Sequence, residues 1–229
     1  MSALDAGRGR MACRSAQQWG LSMATDITFY TNPQSRGQIA RWMLEEAGEP
    51  YETVLLDYGT TMKAPDYLAI NPMGKVPAIK HGDVIVTEGA AICTYLADAF
   101  PGRQLAPALS DPRRGPYLRW MFFGAGPVET AVTNHYLKWD PSPEQSMMVG
   151  YGGYRQVLDV LESLVASGPY LLGDQFTALD VFLGSQIVWG VGFGTMEKRP
   201  GFDDYIARIT ARPAYAKAKA IDAALMPPK

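Results

Sequence analysis

Few side chains in this 229-residue chain have the types and spacing to do chemistry. The two cysteines, Cys13 and Cys93, stand far apart with neither a Cys-x-x-Cys nor a metal-ligand spacing, and the two histidines, His81 and His135, are equally scattered. That pattern argues against a metal site or a disulfide framework and fits a reducing compartment. What remains are hydroxyls and carboxylates at the ends of elements. Ser35 opens the run Ser35-Arg36-Gly37-Gln38, a Ser-x-x-Gln pattern that caps a helix start. A hydroxyl there is a helix cap, a hydrogen-bond donor to an anion, or both. Tyr30 closes a short apolar strand, so its phenol is either packed or presented at the strand end. Glu88 and Gly89 stand where a strand passes into a helix, a place where an acid is favoured by the helix dipole.

The elements that must hold these residues follow from periodicity. Residues 27–30 alternate as a strand, Asn32-Pro33 breaks it, and Ile39, Trp42, Met43 and Leu44 recur at helical spacing until Gly48-Glu49-Pro50. Residues 51–56 read as a second strand, which completes a β-α-β unit. After a turn at Asn71-Pro72-Met73-Gly74, residues 76–79 and 84–87 form a hairpin about His81-Gly82-Asp83, and residues 90–100 are helical. Beyond the Pro-containing stretch 105–115 nothing reads as a strand. Helices are expected over 117–139, kinked at Gly126-Pro127, over 145–167, from Thr177 through Val188, and over 205–211 and 214–224. The fold class is therefore an α/β N-terminal domain with a small mixed sheet, followed by an all-α C-terminal domain. The divisions are an N-terminal extension over 1–24, the sheet domain over 25–104, a linker over 105–115 and the helical domain over 116–229. The extension carries arginines but neither an apolar core segment nor a period, so it reads as flexible rather than as a secretory signal. A net charge of −2 gives no case for nucleic acid or an anionic membrane surface, and no 18-residue apolar run offers a membrane span.

Three segments resemble glutathione S-transferases: Asn71-Pro72-Met73-Gly74-Lys75-Val76-Pro77, then Thr87-Glu88-Gly89-Ala90-Ala91-Ile92-Cys93-Thr94-Tyr95-Leu96, then Phe176-Thr177-Ala178-Leu179-Asp180. Their order and spacing carry the resemblance together with the stretch from Tyr30 to Gly48, and they span most of the chain after residue 24. The resemblance implies a thioredoxin-like first domain and glutathione as co-substrate. It implies a cis bond before Pro77, a form that X-Pro adopts at a cost of roughly 0.5–1 kcal/mol, with the Val76 backbone pairing to glutathione as an added strand. Glu88 would meet the α-amino group of the γ-glutamyl end, and the helix N-terminus at Gly89 its carboxylate. The family usually has Ser where this chain has Gly89, so one hydroxyl hydrogen bond is missing. Lys75 either offers its ammonium to the glycyl carboxylate or stands as a solvated surface lysine. Thr177 and Asp180 match a helix capping box and serve folding.

The resemblance also assigns the activating hydroxyl, with two candidates. Ser35 sits where serine-type members keep theirs and Tyr30 where tyrosine-type members keep theirs. Lowering a thiol pKa by two units needs about 2.7 kcal/mol; a hydroxyl hydrogen bond to the anion supplies about 1.5–3 kcal/mol and a helix N-terminus about 0.3–1 kcal/mol. The expected activity is transfer of glutathione to an apolar electrophile or a peroxide, in detoxification. The alternatives are a weakly catalytic binding or regulatory protein of the same fold and a glutathione-dependent isomerase or dehalogenase. Trp120, Phe123, His135, Tyr136 and Trp139 are the candidates for the wall of the electrophile pocket. The remaining expectations are a homodimer, a cytoplasmic location, and no nucleic-acid, membrane or metal partner.

Overall fold

The computed structural model describes residues 26–226; the expected extension over 1–24 lies outside them. The first half runs β1 (Ile27–Thr31), α1 (Gly37–Ala47), β2 (Glu52–Leu55), a short α2 (Pro65–Leu68), β3 (Ala78–His81), β4 (Val84–Thr87) and α3 (Gly89–Ala99). The strands form one sheet in the order β2-β1-β3-β4, with β1 parallel to β2 and antiparallel to β3, and β3 antiparallel to β4. Alternation along β1 sorts its side chains between two faces. Ile27 and Phe29 enter the main core with α1 and α3, while Tyr30 joins a smaller cluster of Leu56, Met62, Tyr67 and Ala78 on the other face.

The second half holds α4 (Arg114–Phe123), α5 (Glu129–Tyr136), α6 (Tyr154–Val165), α7 (Ala178–Gly192), α8 (Phe202–Thr210) and α9 (Pro213–Ala224), with no strand among the described residues after β4 apart from one isolated bridge, Tyr170 with Gly173. The expected kink at Gly126-Pro127 is a π-turn over Gly124–Val128 joining α4 to α5, the local widening that accommodates a proline inside a helix. The helix expected over 145–167 is shorter. Only a 3-10 turn forms at Gln145–Met147, and α6 starts at Tyr154 after Gly150, Gly152 and Gly153. Conversely α7 continues past Val188 to Gly192. Its capping box forms as expected: the Thr177 hydroxyl accepts from the Leu179 N–H at 3.3 Å, and Asp180 accepts from the Thr177 N–H at 2.9 Å. Asp180 also accepts from the Leu171 N–H and the Tyr205 hydroxyl. Burial outweighs these donors and pushes its carboxyl up to about 6.

One continuous core unites the two halves, because α7, buried on nearly all sides, packs against α1, α3, α4 and α8. α9 returns to α1. There Arg41, fully buried, pairs with Asp222 at 2.7 Å, Arg212 grips Glu46 through two bonds of 2.6 and 2.7 Å, and Lys219 reaches Gln38 at 2.9 Å. The face of α1 that carries these contacts follows directly from the loop holding Ser35.

Candidate functional site

The β1–α1 loop is fixed by its own polar groups. Asn32 donates its amide to the Leu56 carbonyl at 2.8 Å and accepts from the Gln34 N–H at 2.9 Å. Gly37 is required here, since a Cβ would lie 1.9 Å from the Thr31 hydroxyl oxygen. The half-buried Ser35 hydroxyl donates to the Asn32 carbonyl at 2.6 Å and accepts from the Gly37 N–H at 2.9 Å. The Asn32 carbonyl also accepts the Ser35 N–H at 3.1 Å. Ser35 can therefore turn its proton toward a new acceptor without stranding that carbonyl. The Ser-x-x-Gln box itself does not form: α1 starts at Gly37, and the Gln38 amide donates to the Pro33 carbonyl at 2.6 Å instead of reaching back to Ser35.

The Val76–Pro77 peptide bond is cis. Behind it, the Lys75 carbonyl accepts from the Asn71 amide at 2.8 Å and from the Tyr67 hydroxyl, whose pKa burial raises to about 12. The backbone N–H and C=O of Val76 have no partner among the described residues. Lys75 is exposed and forms no ion pair there. Glu88 takes φ 65° and ψ 122°, a region that non-glycine residues rarely adopt at a cost of roughly 1–3 kcal/mol. Its exposed carboxylate has no protein partner among the described residues. α3 begins on the next residue, and its first intrahelical bond runs from Ile92 N–H to the Glu88 carbonyl, which leaves the N–H groups of the first turn open. Phe182 of α7 forms the floor, 3.4 Å from where a Gly89 Cβ would sit.

These pieces meet. Lys75, Val76, Pro77, Glu88 and Gly89 line one groove of about 360 Å³. Ser35, Lys75 and Val76 line an adjoining cavity of about 560 Å³, closed from α7 by Trp189 and Phe193. A third, apolar cavity of about 270 Å³ shares Trp189 and Phe193. Arg36 lines all three and pairs with Glu129 of α5 at 3.0 Å. The chain thus offers a polar, strand-like cleft beside an apolar one, with a hydroxyl at their junction.

Comparison with known proteins decides the lineage of this cleft. Residues 35–99 match the family model of the glutathione S-transferase N-terminal domain and residues 150–208 that of its C-terminal domain. A glutathione transferase of Methylococcus capsulatus superposes with a TM-score of 0.69 at 30% identity, covering 86% of this chain and 99% of that one. The chain belongs to the glutathione S-transferase family. Membership makes it a glutathione transferase, with glutathione as its co-substrate. The glutathione S-transferase PARB of Nicotiana tabacum is 29% identical over 208 residues, covering 83% of this chain and 96% of that protein. A transferase homologue from Sulfitobacter, solved with glutathione bound, matches at 29% identity with a TM-score of 0.69 over 87% of this chain and 99% of its own.

Within this transferase the sequence-derived residues separate. The five residues expected at the tripeptide share one groove, and Ser35 stands beside them. Tyr30 does not line either cavity; its ring packs 5.6 Å from that of Tyr67 in the small cluster on its side of the sheet. Of the aromatic wall expected on the long helix only Tyr136 lines the apolar cavity. Trp120 lines a separate groove with α6 residues and meets Phe123 edge-on at 5.4 Å. His135 stacks on Tyr154 at 3.8 Å and pairs with Asp140, and Trp139 projects into solvent, 67% exposed. The actual walls, Trp189 and Phe193, stand four residues apart at the end of α7, a spacing that puts them on one face. That i, i+4 pair was the available signal. Arg36, assigned no role of its own from sequence, lines all three cavities. Among the described residues no group of His, Cys, Asp and Glu could hold a metal ion, and Cys93 is buried, with its thiol pushed well up by that burial.

Proposed function

We propose that Ser35 activates glutathione by donating its hydroxyl to the thiolate, for attack on an apolar electrophile or a peroxide. The observation that carries this reading is the position of Ser35: it faces the cavity that adjoins the Lys75–Gly89 groove and is closed by Trp189 and Phe193. In this reading Val76 pairs with the cysteinyl backbone through its open N–H and C=O. The first turn of α3 at Gly89 takes the γ-glutamyl carboxylate, Glu88 its ammonium and Lys75 the glycyl carboxylate. The bound thiolate is stabilised by about 1.5–3 kcal/mol from the hydroxyl and about 0.3–1 kcal/mol from the start of α1. That matches the 2.7 kcal/mol or so that two units of thiol acidity require.

The same reading divides the chain at residues 105–115 into a glutathione-binding domain over 25–104 and a helical domain over 116–229. It is supported by strands that all end before Glu88 and by the absence of helix or strand over 104–113. It takes the enzyme as a cytoplasmic homodimer serving detoxification. The exposed apolar residues Val84 and Ile85 on edge strand β4 and Phe122 on α4 support a partner subunit, and Cys93 held as a free thiol supports a reducing compartment. No helix among the described residues is long and apolar enough to cross a membrane. Retention on immobilised glutathione together with turnover of 1-chloro-2,4-dinitrobenzene tests the activity. Light scattering at twice the chain mass tests the dimer, and a mass of one chain rejects it.

A further inference from the structure

The apolar cavity beside Ser35 has one cation in its lining. Its apolar walls include Val128, Val132, Trp189, Phe193 and Met196; Arg36 is the positive charge, and Glu129, which lines the same cavity, is the one negative charge. Arg36 follows Ser35 in sequence and lines the Ser35 cavity as well, so an electrophile that reaches the sulfur from the apolar side passes the guanidinium. The donors of Arg36 are largely unspent. Among the described residues its single ion-pair contact is Nη2 to Glu129 Oε1 at 3.0 Å, with the two side chains 59% and 38% exposed. A guanidinium carries five N–H donors in a fork that matches a carboxylate edge to edge. A half-solvated ion pair of this kind is weak and exchanges readily. Glu129 demonstrates that a carboxylate fits within reach of Arg36, and its contact engages Nη2 alone.

We propose that the electrophile taken by this site is an aromatic molecule carrying a carboxylate, and that Arg36 selects it. The inference rests on the reading of Ser35 and the Lys75–Gly89 groove as the glutathione site. The aromatic body fills the space against Trp189 and Phe193, the carboxylate docks on Arg36, and the reacting carbon is turned toward Ser35. Glu129 orients Arg36 at rest and opposes a second negative charge, so it sets the strength of the preference.

A matched pair of substrates tests this: 4-chloro-3,5-dinitrobenzoate and its methyl ester. With either, the thiolate lone pair forms the C–S bond at C4, chloride leaves with the C–Cl electron pair, and the carboxyl group is unchanged. The wild-type enzyme should favour the acid. Arg36→Gln should lower the acid-to-ester ratio of kcat/KM by roughly threefold to tenfold, mainly through KM, the size expected for a partly exposed charge-assisted contact. Glu129→Gln should raise the ratio. Ser35→Ala should depress both substrates alike and leave the ratio standing, so a failure of the Ser35 reading is distinguishable from a failure of this one. The same ratio is readable without turnover. Quenching of tryptophan fluorescence by 3,5-dinitrobenzoate and by its methyl ester, with S-methylglutathione present, gives the two Kd values, and Arg36→Gln should weaken only the acid. A ratio unchanged by Arg36→Gln in both kinetics and binding would overturn the proposal.

Discussion

Removing the carboxylate of Asp222 should unfold this enzyme far more readily than any surface change. Arg41 has no exposed side-chain surface, and its guanidinium is held by Asp222 Oδ1 at 2.7 Å, by the Tyr51 hydroxyl at 3.1 Å and by the Thr53 hydroxyl at 3.3 Å, over the ring of Phe29. Arg41 Nη2 and Asp222 Oδ2 are buried with no hydrogen-bond partner among the described residues. Asp222→Ala leaves the buried guanidinium without a counter-charge, which costs about 3–5 kcal/mol. For a chain of this length that corresponds to a fall in Tm of roughly 6–20 °C. Burial pushes the Asp222 carboxyl above its usual range by more than Arg41 pulls it down, so pairing does not fully offset desolvation. The double variant Arg41→Met/Asp222→Leu should therefore recover to within about 1.5 kcal/mol of wild type. The pH dependence has a fixed sign. A folded-state pKa above the unfolded value gives a contribution that is full below the ordinary aspartate pKa and lost as pH rises. The double variant should accordingly gain on wild type from acid to neutral pH. Urea unfolding followed by circular dichroism measures all three proteins. A loss under 1 kcal/mol in Asp222→Ala would refute the reasoning, because it would mean that water reaches Arg41.

Gly89→Ser should tighten glutathione binding about threefold or more by calorimetry. The added Cβ meets Phe182 at an ordinary 3.4 Å, and the hydroxyl gains a charge-assisted hydrogen bond; weaker binding would show that Phe182 must move. Glu88→Gly should split two readouts, raising stability by about 1 kcal/mol through relief of the φ 65° backbone while weakening glutathione binding. Loss of both stability and affinity would deny the strain. Cys93, buried with its thiol pushed well up, should resist iodoacetamide in the native enzyme and react once unfolded; peptide mapping that finds native Cys93 alkylated contradicts the packing.

Much of this was legible from local chemistry. The β-α-β order, the hairpin at Gly82 and the Thr177–Asp180 box each depend on a few neighbouring residues, and each formed; the cis bond before Pro77, which the family resemblance implied, formed as well. What could not be read depends on which face meets what. Gln38 matched a capping pattern, yet the Pro33 carbonyl lay closer to hand. The helix opening at Thr177 was expected to run only through Val188, so Trp189 and Phe193 were missed. In the fold Gly190 lies within α7, and a Cβ there would stand 2.6 Å from the Met196 Cβ, so that close approach calls for a glycine. The aromatics on α4 and α5 have helical spacing whether they face core, solvent or cavity, and periodicity alone could not separate Tyr136 from Trp139. The positive φ of Glu88 carries no sequence signal at all, since glutamate is not a residue that favours it.

The most direct test of the central claim is the titration of enzyme-bound glutathione, followed by the ultraviolet absorbance of the thiolate. If Ser35 donates to the sulfur, Ser35→Ala should raise the bound thiol pKa by about one to two units, with glutathione affinity nearly unchanged because Val76, Glu88 and Gly89 still hold the tripeptide. The rate near neutral pH should fall at least tenfold, and Tyr30→Phe should be mild. The account is contradicted if Tyr30→Phe abolishes the absorbance while Ser35→Ala spares it.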